Sequence, residues 1–290
     1  MNNKLQDNSV GSFDEYIKNQ LKDFRKEELY FIRKWIWEGI FHFPLFTVGT
    51  KRDSKLSESE ILRGHFALKK VLEGCPIQYV VGEVPFVNVV LQVNSSVLIP
   101  RPETEELVVK MNAKVERNVA RVLDLGTGSG CIAISLAKSN PHWKVTACDI
   151  SSEALELARI NGKFNQVVID WKCADFRKLN AVEGIYDILI SNPPYIPIYE
   201  KDGMDRGVVD YEPHLALFTT NEDPLEYYRA IKQISNQQLS DKGWVGLEVH
   251  HDFVEQVVDL WRHDASFKVS VEKDLQGKDR FVFAQLHRNP

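Results

Sequence analysis

Val122-Leu123-Asp124-Leu125-Gly126-Thr127-Gly128-Ser129-Gly130-Cys131-Ile132-Ala133 constrains this chain more than any other stretch. An apolar run, a turn with glycine at every second position and a return to helix-compatible residues read as strand, glycine-rich turn and helix start. Glycine tolerates positive φ and lets backbone come close to a ligand, so such a turn builds a cradle from main chain alone. About nineteen residues past Gly130, Lys144-Val145-Thr146-Ala147-Cys148-Asp149 forms a second short strand that ends in a carboxylate. In nucleoside-binding sheets an acid at that place holds the ribose hydroxyls. The pattern calls for an open α/β sheet whose ligand lies beyond the carboxyl ends of its strands.

A second motif stands at such an end. Asn192-Pro193-Pro194-Tyr195 directly follows the apolar run Ile185–Ile190. Two prolines cannot continue a strand ladder and they stiffen the turn, so the Asn192 amide and the Pro193 carbonyl become fixed acceptors beside an aromatic wall. That arrangement suits a planar nitrogen with a delocalised lone pair, as in a carboxamide or an aromatic amine. Accepting its two N–H bonds draws the lone pair back onto nitrogen and aims it. The cofactor loop is G-x-G-x-G, unlike the G-x-G-x-x-G of dinucleotide dehydrogenases, and Asp124 precedes it, which disfavours a pyrophosphate. A cofactor carrying a sulfonium and an ammonium fits better, so S-adenosylmethionine is preferred over a nicotinamide.

Hydrophobic periodicity divides the chain. Before residue 79 it is helical: Phe13, Tyr16, Ile17, Leu21 and Phe24 recur behind a capping box at Ser12 and Glu15, a second helix runs from Glu28 to Ile40, and a third starts at Ser57 and Glu60, turns Ile61, Leu68 and Leu72 inward and stops at Gly74. From Tyr79 the pattern alternates around Asn88, which predicts a β-hairpin. Strands follow near 119–125, 144–149, 167–171, 185–191, 243–248, 267–272 and 280–286. Helices separate the early ones, so these should be parallel, and the last two should pair antiparallel. The expected organisation is a helical domain over residues 1–78, a hairpin linker over 79–97 and a Rossmann-like seven-stranded α/β domain over 98–290.

Composition is that of a globular protein: 290 residues, 43% hydrophobic and 27% charged. A formal charge of −5, without a basic block, argues against binding duplex DNA. Residues 1–80 carry +2, too little to define a nucleic-acid face. With no long apolar run and no signal-peptide core at the start, the cytoplasm and a membrane-free existence are expected. Cys75, Cys131, Cys148 and Cys173 lack metal-ligand spacing and read as buried thiols, so no metal site is expected.

Taken together, Leu98–Val108 with Pro100-Arg101-Pro102-Glu103-Thr104-Glu105, the glycine loop, Asn192–Tyr195 and Tyr211-Glu212-Pro213-His214 resemble the release-factor glutamine methyltransferases, the HemK/PrmC family. The resemblance runs from about Pro76 to the end, and the segment before it matches loosely. It implies methyl transfer from S-adenosylmethionine to the side-chain amide of the glutamine in the Gly-Gly-Gln tip of class I peptide-chain release factors. It implies that Gly126, Thr127, Gly128, Ser129, Gly130 and Asp149 bind the cofactor, with Asp175 and Phe176 at the adenine. Asn192, Pro193, Pro194 and Tyr195 would hold the substrate, Tyr195 packing on its plane. Pro100–Glu103 would form a lid, and Glu212 and Pro213 would shape the substrate channel. The helical domain would dock the factor, and a monomer is expected. Two rival substrates share the tetrapeptide, a ribosomal-protein glutamine and adenine in nucleic acid. A non-catalytic scaffold would show damage to the glycine loop or Asn192, and neither is damaged.

Overall fold

A computed structural model describes residues 5–178, 182–219 and 223–287, and no helix among them is long and apolar enough to cross a membrane. The chain forms two compact units, one of Met1–Glu83 with Arg206–Tyr211, the other of Val84–Asp205 with Glu212–Pro290.

The first unit is helical. Val10–Gln20, Lys26–Trp35, continued by the π-helical turn Ile36–Ile40, and Glu58–Leu72 bury Phe13, Ile17, Ile36, Trp37 and Leu68 in a common core. Ser57 and Glu60 make the expected capping box on the third of these helices. The first helix is capped by Ser9, not Ser12; the Ser9 hydroxyl accepts from Ser12 N–H, while the Ser12 hydroxyl accepts from the amides of Gln6 and Asp7. Leu72, read as inward, is 44% exposed. Inside the bundle Asp14 is buried and accepts from the Arg33 guanidinium at 2.8 Å and Trp37 Nε1 at 3.0 Å. The late segment Arg206–Tyr211 is tied in by Tyr211, whose hydroxyl donates to the Glu73 carbonyl.

The hairpin is shorter than the alternation implied. Pro76 and the left-handed Gly82 punctuate a one-turn helix, Ile77–Val81, and only then do β1 (Glu83–Phe86) and β2 (Val89–Gln92) follow. An alternating apolar run this short cannot tell one helical turn from a strand. The strand β2 is held from the side by two asparagines, one in the helix Ser152–Phe164 and one capping its end. Asn161 accepts from Gln92 N–H and donates to its carbonyl, and Asn165 donates to the Val90 carbonyl. Asn161 also donates to the Ser129 carbonyl at 2.9 Å, which fixes the glycine loop.

The second unit is built on β3 (Arg121–Leu125), β4 (Lys144–Asp149), β5 (Ile169–Cys173), β6 (Tyr186–Ser191), β7 (Leu239–Glu248), β8 (Phe267–Lys273) and β9 (Asp279–Leu286). They form one seven-stranded sheet in the order β5-β4-β3-β6-β7-β9-β8, parallel except for β9, which runs antiparallel to both of its neighbours. This is the Rossmann-like architecture expected. The strand β5 starts two residues later than predicted, because the left-handed Gln166 and a Val167 amide bonded to Gly162 still belong to the preceding helix end. The order reverses between β3 and β6, so the connections that leave their carboxyl ends diverge to opposite faces of the sheet and leave a crevice, the position where open α/β sheets hold ligands. The glycine loop leaves β3 there, and Asn192 leaves β6.

Candidate active site

The loop after β3 is shaped by glycine geometry and by two acids, one buried and one half-buried. Gly126, Gly128 and Gly130 all have positive φ. A Cβ on Gly128 would meet nothing within 4 Å, whereas one on Gly130 would strike Ile134 at 2.8 Å and Trp171 at 3.2 Å. Gly128 therefore leaves bare backbone beside a cavity, and Gly130 lets the helix Cys131–Ser139 pack. Beneath the loop, Asp124 is fully buried and accepts from the Thr127 hydroxyl at 2.6 Å and Ala133 N–H at 3.2 Å. Burial pushes its carboxyl up to about 7. Asp124 is thus a strut under the turn more than a charge facing a ligand. Asp149, at the end of β4, accepts from Gly128 N–H at 2.8 Å and Ser151 N–H at 2.9 Å, and burial raises its pKa as well.

These residues wall one cavity. Gly126, Thr127, Gly128, Ser129 and Asp149 line it, together with Asp175 and Phe176, then Asn192 and Pro194. Pro193 and Tyr195 are not among its lining residues. Pro193 is buried, and the Tyr195 ring packs against the core beneath, its hydroxyl donating to Glu248 Oε1 at 3.1 Å. The tyrosine expected to lie on a substrate's plane is tethered by its hydroxyl to a buried carboxylate instead. Asp175 is also more occupied than expected: Arg177 bonds both of its oxygens, at 2.9 and 3.0 Å, and holds the carboxyl below the usual range. The same guanidinium lies over the Tyr227 ring, 4.9 Å from its centroid, and reaches Glu226 at 3.1 Å. Phe176 supplies an apolar wall nearby.

Asn192 is held on one side only. Its Nδ2 donates to the Thr104 hydroxyl at 2.9 Å, while its Oδ1 is shielded from solvent and bonds to no described residue. A buried acceptor without a partner costs roughly 1–3 kcal/mol; among the described residues Asp124 Oδ1, Ser129 Oγ, Ser135 Oγ and Gln238 Oε1 share that state, and of all these only Ser129 and Asn192 stand on the cavity wall. Thr104 in turn donates to Glu248 Oε2 at 2.7 Å, and the Ser191 hydroxyl donates to the Leu125 carbonyl at 2.6 Å, which clamps the end of β6 to β3.

The two other motif segments meet on one carboxylate. Glu212, buried, accepts from Ile99 N–H at 3.1 Å and from the Arg101 guanidinium at 2.6 Å. Residues 98–101 are thereby pinned before Pro102 opens the helix Pro102–Lys114, and Pro100, Pro213, Leu215 and Ala216 join the cavity wall. Glu212 itself braces the wall from behind. Sequence reasoning missed Thr104 as a partner of Asn192, and it missed Glu248, Arg177 and Asn161. Thr104 lay within a quoted motif and so was within reach; the others stand alone in helices, strands or turns and carried no local signal. The cysteines also differ from expectation, since Cys148 is buried but Cys173 is exposed.

Residues 103–204 match the family model described as Methyltransferase small domain. Among curated proteins, the chain is similar to the release factor glutamine methyltransferase of Bacteroides thetaiotaomicron, 41% identical over 93% of this chain and 97% of that one. It is likewise similar to that of Flavobacterium psychrophilum, 39% identical over 79% of this chain and 82% of the relative. Among solved structures, a methyltransferase from Pyrococcus furiosus shares the fold with a TM-score of 0.51 at 19% identity, covering 68% of this chain and 88% of that one.

Proposed function

The chain belongs to the release factor glutamine methyltransferases, and from that premise we propose that it methylates the side-chain amide nitrogen of the Gly-Gly-Gln glutamine of class I peptide-chain release factors with S-adenosylmethionine as donor. The observation that carries this reading is the Asn192 carboxamide, anchored through Nδ2 and free at Oδ1, on the wall of the cavity that the glycine loop opens.

The residues fit the donor. Gly128 leaves backbone uncovered where a side chain would intrude, Asp149 keeps lone pairs for ribose hydroxyls, and Phe176 offers a face for adenine. When bound, the donor supplies a methyl group on a positively charged sulfur. Asn192 Oδ1 would accept one N–H bond of the substrate carboxamide, and the carbonyl of Pro193, a residue buried behind the cavity wall, is proposed to accept the other. Doing so localises the nitrogen lone pair and points it along the line of transfer, which is orientation of a near-attack geometry. Transfer to the nitrogen so oriented would leave the donor as a neutral thioether and the substrate with one new N–C bond. The N-methylated amide is then cationic and gives up one proton to water, so no side-chain base is required.

A glutamine flanked by glycines suits a pair of rigid acceptors, because no neighbouring Cβ obstructs close approach. The helical unit of Met1–Glu83 is proposed to dock the folded factor. A fragment from Val84 onward should still bind S-adenosylmethionine yet methylate an intact factor far more slowly, and equal rates would remove that role. The reading as a whole is tested by incubating the purified chain with labelled donor and, separately, release factor, ribosomal protein and DNA. The expected product is one methyl on the Gly-Gly-Gln peptide, absent when that glutamine is replaced by asparagine. Label in adenine, or in a ribosomal protein with the release factor untouched, would transfer the assignment to a rival substrate.

A further inference from the structure

Glu248 is 1% exposed, lies on the last residue of β7 and accepts two side-chain hydroxyls, Thr104 on Oε2 and Tyr195 on Oε1. Nothing in the methyl transfer calls on it directly. We infer that Thr104 and Glu248 are positioning residues that fix which way round the Asn192 carboxamide stands; the inference rests on the reading of Asn192 Oδ1 as an acceptor for the substrate amide.

A carboxamide has nearly the same shape after a half-turn that exchanges its oxygen and its NH2. For Asn192 the two orientations are chemically opposite. With Oδ1 available it accepts an N–H from the substrate; with Nδ2 in that place it presents a donor to a donor. A lone threonine hydroxyl could not decide between them, because it can accept from Nδ2 or rotate and donate to Oδ1 equally well. Glu248 removes the choice in its ionised form, which it takes above about pH 7. The Thr104 proton is committed to Oε2 at 2.7 Å, so only a lone pair is left for Asn192, and only Nδ2 can use it at 2.9 Å.

Tyr195 completes the arrangement from the other oxygen. Its hydroxyl donates to Oε1, so the carboxylate is held at both oxygens, while the Tyr228 hydroxyl donates to the Glu248 backbone carbonyl at 3.2 Å and fixes the main chain that carries it. Residues that are far apart in the chain thus act in series on one torsion. Thr104 is 88 residues from Asn192 and 144 from Glu248. The tyrosine of the tetrapeptide serves the asparagine through this carboxylate.

The test uses the full-length protein, S-adenosylmethionine and a purified release factor. Thr104→Val keeps the shape and removes the hydroxyl. Its turnover should fall about tenfold or more while cofactor affinity stays within about threefold, the pattern of a group that matters to the transition state alone. Thr104→Ser, which keeps the hydroxyl, should recover most of that loss. Glu248→Gln, should Thr104→Val fold poorly, offers a second entry: its amide can donate to Thr104, free the threonine proton for Oδ1, and lower turnover several-fold with the same unchanged cofactor affinity. In an Asn192→Ala background neither substitution should cost anything more, because both act through Asn192. Full additive losses in that background, or a Thr104→Val enzyme with normal turnover, overturn the inference while leaving Asn192 in its role. An Asn192→Ala enzyme that itself turns over normally sinks the underlying reading instead.

Discussion

The two sides of the crevice are held in place by different kinds of atom. On the side of β3 and β4, acids are met mainly by backbone: Asp149 takes two main-chain N–H groups, and Asp124 takes one together with the Thr127 hydroxyl. On the side of β6 and β7, Glu248 takes only side-chain hydroxyls, and Asn192 takes its position from one of them. A backbone-built cradle is indifferent to which side chains surround it and binds a ligand that varies little. A side-chain-built arm can be set to a particular polarity, which a reacting nitrogen requires. Binding and chemistry should therefore be separable by substitution.

Asn192→Ala is the sharpest attempt to break this contrast. Turnover should fall by on the order of 10²–10³, the scale of losing one preorganised polar contact to a reacting group. Affinity for S-adenosylmethionine, measured by calorimetry, should change little because the glycine loop is untouched. A collapse of both together would mean that the two sides are one site without a division of labour.

The complementary change is Asp149→Ala. Loss of hydrogen bonds to a charged group, worth roughly 1.5–3 kcal/mol, should weaken cofactor binding about 10–100-fold. Bound substrate factor should still be methylated once the cofactor is supplied in excess. NADH should give no saturable heat with the unaltered protein, and tight NADH binding would remove the reason for choosing the cofactor.

The smallest effect is on stability. Burial raises Glu248 from an ordinary 4.5, and Asp124 from 3.8, each to about 7. Both therefore hold protons in the folded state that the unfolded chain has already released, and stability declines as pH climbs from about 4 through 7. Thermal unfolding followed at pH 5 and pH 8 should show a lower midpoint at pH 8. Glu248→Gln, which cannot ionise, should narrow that gap on the order of a few degrees. An unchanged gap would place the pH dependence elsewhere.

The same contrast explains what could be read from the sequence. A cradle of backbone leaves a trace, because only glycine spacing permits it, and Gly126, Gly128 and Gly130 with Asp149 were evident at once. The strands were legible for a similar reason: doubly covered parallel strands are continuous apolar runs. An arm built from side chains leaves no local pattern. Asn192 declared itself through its prolines, but Glu248 is one acid at the end of a strand, and nothing near it in sequence announces Thr104. Tyr195 was read as a free aromatic face because the carboxylate that holds its hydroxyl could not be seen. Local ambiguities account for the rest. Ser9 and Ser12 are both plausible caps, and Ile77–Val81 fits a helical turn as well as a strand.

The two-stranded hairpin raises a different matter, that of keeping this protein from sticking to itself. A short sheet has two open rims of unpaired amides on which another chain could continue it. On the β1 rim Pro85 has no N–H to offer. On the β2 rim Asn161 and Asn165 occupy Gln92 and Val90 as a third strand would, so their carboxamides act as a counterfeit strand that cannot propagate. Asn165→Leu would reopen the rim without touching the crevice, and the expected sign is light scattering on refolding that grows with protein concentration. The asparagine that steadies the cofactor loop thereby also belongs to the protein's defence against aggregation.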